Sequence, residues 1–462
     1  MNKNKIFLIL LFINCSIFTY LTFNQNFLIG FKYYYIILLL TSLFFLFEGS
    51  SVLILFSSLF LIPLWVNTYS ILGIESYIKL NYPLLVLLIM FIESLLYTPK
   101  KLNNIDRIIF NFFLYFLFNA FLLSDRDLLR NSYSIIFPFL YYFLLRISRG
   151  FEGKLNKDLV INIIILTSVF EAIIFALIFI TRNNPFIPPS DKYDITKLDW
   201  IYGPIFQPFA ALAPTEGSVI FNITILLAIY QFFLKKNYIY FFFIIILLVG
   251  NYLSLSRTGF ILNLITIIFI LSLYKKYLFK MTKFYYVIIF ITFITIYYLY
   301  NVFMVDFITK LESKTTTGKI EYQIIPAINY IKEKPLSIIF GIGYEKWRVT
   351  EFKNKDLGGP IHQTFLAILI ELGIIGLLLW LNMFKKIIFY ILNNEKRINN
   401  NKFIILGRII IVSIIIYFFG GILQPHQYIF SNYVILFVLF AFYQNEINLF
   451  YIKNEHNNNS PI

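Results

Sequence analysis

The sequence predicts an all-α integral membrane protein, a multispan helical bundle with a long extracytoplasmic loop. Three observations carry that prediction. The 462-residue chain is 59% hydrophobic and only 14% charged, far from the usage of a soluble domain. Apolar runs recur along it at roughly 17–25 residues, the length a helix needs to cross a bilayer. Lysines and arginines gather in alternate loops, as they do on the cytoplasmic side of membrane proteins. Cytoplasmic, fibrous and disordered classes are excluded.

Fourteen spans fit, near 6–23, 33–47, 51–69, 81–97, 108–124, 131–145, 158–180, 211–234, 238–256, 258–274, 284–304, 362–384, 409–423 and 428–448. The first follows "MNKNK" and resembles a signal peptide. It lacks a small-residue cleavage site and is read as retained. An even count puts both ends on one side. Loops on that side hold 22 Lys/Arg against 17 opposite. Nine of the 17 sit in the loop at 305–361, and without it the comparison is 22 to 8. Long segments translocate regardless of charge, so both termini are expected in the cytoplasm of a bacterial inner-membrane protein. The net charge of +15 follows from this asymmetry, and no nucleic-acid partner is expected. Ile, Phe, Tyr, Asn and Lys are abundant together, so the aromatic richness and the "NNNS" tail read as compositional bias. The lone cysteine, Cys15, allows neither an intrachain disulfide nor a cysteine metal site.

The chain divides into a six-span scaffold at 1–157 and five spans at 158–304, which include the outer loop 181–210 and an "SRTG" turn. The long outer loop at 305–361, three spans at 362–448 and a polar cytoplasmic tail at 449–462 complete it. The scaffold offers no chemistry. Glu48 and Glu93 read as interfacial, and Asp125, Arg126, Asp127 and Arg130 as locally paired. Glu171 lies mid-span, where an ionisable side chain is expensive and is a functional candidate unless it is packed neutral in the bundle. Loop 181–210 carries Pro185, Pro188, Pro189, Pro204 and Pro208, which forbid regular helix. Glu216 follows in "APTEGS", near an outer helix mouth.

At Ser256-Arg257-Thr258-Gly259 two apolar runs meet with almost no polar linker. Arg257 is held near the outer surface, either snorkelling as an anchor or presenting a guanidinium to a phosphate, which its planar fork suits. In the long loop, Ile320, Ile324, Ile328 and Ile331 recur at helical spacing, with Lys319 opening that segment and Pro326 kinking it or marking its start. "KPLSIIFGIGYEKW" follows, with Gly341 and Gly343 permitting a tight turn. No βαβ pattern supports a nucleotide-binding loop there. His362-Gln363 then enters the twelfth span, nine residues ahead of "GIIG", Gly373 to Gly376. The chain has only three histidines. His426, in the outer "QPHQ" loop, is with Glu216 a secondary site candidate, more often a loop histidine than a catalytic one; His456, in the tail, reads as an ordinary loop residue. No clustered histidine ligand set is visible, and neither metal nor cofactor is expected.

The ordered set "SRTG", "KPLSIIFGIGYEKW" and "HQ" with nine residues before "GIIG" resembles the O-antigen ligase and Wzy-type polymerase superfamily, over roughly residues 200–390. That family moves glycans carried on undecaprenyl diphosphate. The resemblance implies a bundle of the lipid-linked-sugar glycosyltransferase (GT-C-like) type with its active site open to the outer face. It places the family's arginine at Arg257 and its histidine at His362. The family's second arginine, in a Gly-Arg context, falls at Gly318-Lys319. Lysine keeps the charge but loses bidentate geometry, so either Lys319 acts as a point charge or Arg348 supplies the second contact.

Under that resemblance, an acceptor hydroxyl displaces the lipid diphosphate from the anomeric carbon with inversion. Arg257, with Lys319 or Arg348, would stabilise the leaving charge. His362 would take the hydroxyl proton, kept neutral by the positive end of its helix and by neighbouring cations. Gly373 and Gly376 would let a neighbouring helix or a lipid tail approach closely. The implied partners are the lipid-linked glycan, an acceptor glycan or lipid A core, the bilayer, and a chain-length regulator. The span count leans towards a polymerase; a ligase to lipid A core or a protein O-oligosaccharyltransferase is the alternative. A transporter or flippase, with His362 merely capping a helix, would favour internal repeats, and none is visible.

Overall fold

The computed structural model describes residues 3–24, 102–123, 133–147, 157–181, 214–254, 257–278, 335–343, 364–398, 400–423 and 430–458, with a few isolated positions besides. Among the described residues every regular element is a helix: α1 (Lys3–Asn24), α2 (Asn104–Leu123), α3 (Tyr133–Ile147), α4 (Lys157–Thr181), α5 (Pro214–Lys235), α6 (Ile239–Leu253), α7 (Arg257–Leu278), α8 (Ser337–Phe340), α9 (Thr364–Glu395), α10 (Asn401–Leu423) and α11 (Phe430–Asn458). Six of them, α1, α2, α4, α5, α9 and α10, are long and apolar enough to cross a membrane. Among all eleven helices of the described residues, ten stand at positions of the fourteen expected spans. The spans expected near 33–47, 51–69, 81–97 and 284–304 fall outside the described stretches.

The chain forms two compact units, each assembled from separated stretches. One comprises Met1–Lys101, Leu140–Gly259 and Phe437–Ile462, and the other Leu102–Phe139 and Phe260–Leu436.

In the first unit α4, α5 and α6 pack on one another, and α1 lies against α4. Every residue of α5 from Gly217 to Phe232 is buried, as expected of a helix that is apolar on every side. The ends of several helices are tied by polar contacts. Lys157 pairs with Glu446 at 3.5 Å and Lys235 with Asp158 at 3.8 Å. Arg146 donates to Asn445, and the Tyr142 hydroxyl donates to Gln444 at 2.8 Å. These are helix ends that the charge pattern assigns to one membrane face.

In the second unit α9 is the common partner of α2, α8 and α10. The start of α2 is closed by a reciprocal cap: the Asn103 amide donates to Asp106 and the Asp106 amide to Asn103, both at 2.9 Å. This satisfies two of the amides that a helix start leaves open. α9 joins α10 through an aromatic cluster centred on Trp380, which is 1% exposed. Its ring lies 4.8 Å from Phe418, 5.2 Å from Phe384 and 5.5 Å from Phe365, all edge-to-face. That geometry aligns ring edges with ring faces and adds to the area buried.

α9 adds two features to the expected spans. The twelfth span was expected to end at 384, before Lys385 and Lys386. α9 instead runs through both lysines to Glu395. Trp380, Met383, Phe384, Ile387 and Ile391 keep a buried stripe at helical spacing, while both lysines stay exposed on the other side. The helix therefore continues beyond the apolar run, and α10 starts at Asn401 rather than 409. Secondly, α9 is not one uninterrupted helix: it is broken at Gly373.

Replacing Trp380 with alanine empties the centre of the aromatic cluster. The expected loss is on the order of 3 kcal/mol, read as a lower melting temperature of the detergent-solubilised protein.

Candidate functional site

The break in α9 is the best-defined irregular feature of the second unit. Gly373 has φ 70 and ψ −177, a conformation reached essentially by glycine alone. A helix broken there leaves the carbonyls before the break without their usual amides. Ile342 N–H donates to the Ile370 carbonyl at 2.9 Å and Gly343 N–H to the Glu371 carbonyl at 3.1 Å. The Tyr115 hydroxyl donates to the Leu372 carbonyl at 2.7 Å. The donors thus come from the Gly341-Ile342-Gly343 turn and from α2.

The turn has the same character as the break. Gly341 ends α8 with φ 81 and ψ −178, and its amide donates to the Ser337 carbonyl at 2.8 Å. The Phe340 carbonyl accepts from the Asn119 side-chain amide at 2.8 Å. A Cβ on Gly341 would overlap the Glu371 carbonyl and come within 2.6 Å of the Leu372 nitrogen. A Cβ on Gly373 would overlap the Ile339 carbonyl and come within 2.5 Å of the Gly341 nitrogen. The two glycines are required by each other's backbone. The "FGIG" and "GIIG" motifs therefore form one physical object, although Gly341 and Gly373 lie far apart in sequence. The close approach expected at Gly373 is by the end of α8: it is the backbone of 339–341 that comes against it. At Gly376 the close neighbour from another helix is Tyr115 of α2, whose ring would lie 2.9 Å from a Cβ added there.

The entry of α9 is held as well. Thr364 is 1% exposed, and Gly421 of α10 lies against it, with a Cβ there only 3.0 Å from the Thr364 hydroxyl. The chain runs into Thr364 directly from His362-Gln363. It leaves Leu423, two residues past Gly421, into "QPHQ". The two segments that carry His362 and His426 thus depart from neighbouring helix ends.

In the first unit the "SRTG" turn rests on buried polar groups. α6 ends at Leu253, and Arg257 opens α7. The Ser254 hydroxyl donates to the Asn251 carbonyl at 2.6 Å and lies 2.9 Å from the Ser218 hydroxyl. The Asn222 side chain donates to the Ser218 carbonyl at 2.8 Å. Ser168 and Thr224 are in hydroxyl contact at 3.0 Å, nearer the middle of α4 and α5. Ser218, Asn222, Ser254 and Glu171 are fully buried. Gly259 is pressed onto this seam: a Cβ there would lie 2.7 Å from that of Ser218 and 2.8 Å from the Asn251 side-chain oxygen. The motif's glycine thus lets the start of α7 sit on α5 and the end of α6.

Of the residues singled out in the sequence, the structure places Gly373 and Gly376 in full. It places Arg257 and Glu216 by their backbone, at the first residue of α7 and the third of α5. His362, Gln363, Lys319, Arg348 and His426 lie outside the described residues, as does the amphipathic helix expected around Ile320–Ile331, apart from isolated positions. Among the described residues no group of His, Cys, Asp and Glu gathers as metal ligands. The sequence does contain an Asp-x-Asp triplet, Asp125-Arg126-Asp127, also outside the described residues.

Residues 241–381 match the family model described as O-antigen ligase. The matched segment begins in α6, contains "SRTG", "FGIG" and "GIIG", and ends in α9. It covers about three tenths of the chain, and it supports the O-antigen ligase and Wzy-type superfamily on the same motifs. An O-antigen ligase/polymerase-type membrane enzyme is what this match indicates. No curated protein matches the chain.

Residues that support the O-antigen ligase motifs also lie outside the matched segment. Tyr115 and Asn119 clamp the break in α9, and Ser218 and Asn222 sit beneath Gly259. Each pair is spaced four apart in an apolar run, so both members share a helix face. Polar residues at that spacing within a span were the signal that could have found them.

Gly341→Ala and Gly373→Ala should each cost about 1–3 kcal/mol or more, the scale of a strained backbone. The double variant should lose less than the sum, because either change alone opens the interlock. Melting curves of the four proteins in one detergent measure this.

Proposed function

We propose that the chain is a glycosyltransferase of the plasma membrane, transferring a glycan from undecaprenyl diphosphate to an acceptor hydroxyl on the outer face. The observation that carries this reading is that the family match spans both the "SRTG" turn and the helix entered from His362. Arg257, with Lys319 or Arg348, stabilises the negative charge that develops on the departing lipid diphosphate. Fixed cations in a water-poor site are effective there because they need no reorganisation at the moment of reaction. His362 accepts the acceptor's proton, since imidazole is the side chain whose ordinary pKa lies nearest neutrality. Transfer inverts the anomeric carbon in a single displacement, without a metal.

The multipass architecture fits a hydrophobic donor whose polyprenyl chain stays in the bilayer. Repeat-unit polymerisation is the leading form of the reaction, with both termini cytoplasmic and a chain-length regulator as partner. Attachment of finished glycan to lipid A core is the alternative. The two differ in what accumulates when the gene is lost. A polymerase leaves single-repeat capping without a length ladder. A ligase leaves long chains on undecaprenyl diphosphate.

His362→Ala and Arg257→Ala, each expressed at wild-type level in the deletion strain, should abolish detectable product. Surface glycan of normal length and linkage in both strains would sink the enzyme reading. In membranes, EDTA should leave the transfer rate unchanged. Loss of activity restored by Mg²⁺ or Mn²⁺ would refute the metal-free mechanism and direct attention to Asp125 and Asp127.

A further inference from the structure

The segment around α8 belongs to the longest polar loop in the sequence, yet residues 335–343 carry no charge at all. They read Pro-Leu-Ser-Ile-Ile-Phe-Gly-Ile-Gly and are bracketed by Lys334 on one side and Glu345 on the other. Their side chains divide by position. Leu336 is 72% exposed and Phe340 48%, with Ile338 and Ile339 also exposed. Gly341, Ile342 and Gly343, where the backbone leaves the helix, are all buried.

The helices they dock on give the depth. The contact on α9 is at Gly373, nine residues from Thr364, or about 14 Å along a helix rising 1.5 Å per residue. Lys385 lies twelve residues further on, about 18 Å. Each stretch is about half of a hydrocarbon core of about 30 Å, so the break is distant from both ends of the apolar run. The contact on α2 is at Tyr115 and Asn119, eight and four residues from Leu123, or about 12 and 6 Å. The sequence turns charged at Asp125, two residues beyond Leu123. Two independent helices thus place the same turn well inside the apolar zone.

We infer that residues 335–343 are a re-entrant turn at membrane depth, and that Tyr115 and Asn119 are the positioning residues that hold it in the break of α9. The chemistry fits that setting. Irregular backbone within a membrane is tolerated only where protein covers it. Here the irregular residues are buried, the Ile342 and Gly343 amides reach α9, the Gly341 amide turns back to Ser337, and the Phe340 carbonyl is taken by Asn119. The exposed part is a turn at 335–336 followed by α8, and its exposed large side chains are hydrocarbon, suited to acyl chains. The turn also fixes the direction of Thr364–Leu372, the half-helix that the chain enters from His362. This second consequence rests on the glycosyltransferase reading, whereas the embedding does not.

The test uses the full-length protein in native membranes with Cys15→Ser as background. Leu336→Cys, Phe340→Cys and, as a control in the same loop, Lys353→Cys are labelled with a membrane-impermeant maleimide in right-side-out and inside-out vesicles. The two turn positions should react at least tenfold more slowly than the control from either side. After labelling with a lipid-permeant fluorophore, both should be quenched by brominated phospholipid. Reaction as fast as the control overturns the embedding. For positioning, Tyr115→Phe and Asn119→Leu should lower glycan product several-fold at wild-type protein level, and by more than Trp380→Ala does at an equal loss of melting temperature. Unchanged product, or a fall that merely tracks a lower melting temperature, overturns that role. Normal glycan from His362→Ala would remove the enzyme reading and leave the labelling result standing.

Discussion

The second unit depends on one constraint: a transmembrane helix that breaks must hand its carbonyls to other donors. Water is absent from hydrocarbon, so each open carbonyl there is costly. α9 breaks at Gly373, and its carbonyls at 370, 371 and 372 are taken by Ile342, Gly343 and Tyr115. The two amides can approach only because Gly341 and Gly373 both lack a Cβ, and Tyr115 lies against Gly376. Break, turn and clamp are therefore a single feature. None of the three has a reason to persist without the other two.

The first unit meets its polar groups differently. Its helices are regular, and the polar atoms are side chains that bond to one another or back onto the backbone. Ser218, Asn222, Asn251 and Ser254 gather where α5 and the end of α6 meet beneath the start of α7. Small polar residues permit that closeness and supply hydrogen bonds in place of the hydrophobic drive that a bilayer lacks. The polar seam lies under the "SRTG" motif, and the helix break lies nine residues beyond the start of the half-helix entered from His362. Each motif is thus supported by residues that carry no motif signature themselves.

That arrangement bears on how the proposed chemistry would be held. A displacement at an anomeric carbon needs reacting groups kept within a narrow range of distance and angle. A histidine at a helix mouth inherits its precision from the helix. α9 is fixed at Thr364 by Gly421, at Gly373 by the interlock, and further along by the aromatic cluster around Trp380. A long helix secured at three heights is a rigid support for whatever its first residues do.

The sequence by itself determined the helical class, the presence of helices at ten of the expected positions, the order of the motifs and the family they match. Those follow from hydropathy and local pattern, because a bilayer imposes helix length and backbone satisfaction on each segment separately. It also pointed to Gly341, Gly373 and Gly376, since glycine at a motif marks a close approach of some kind. Only the tertiary structure decided what approaches. It joined Gly341 to Gly373, assigned Tyr115 and Asn119 to the break, carried α9 past its lysines to Glu395 and set Gly259 on Ser218. Most of these are contacts between residues remote in sequence, and hydropathy, which describes a residue against solvent, holds no record of its partner.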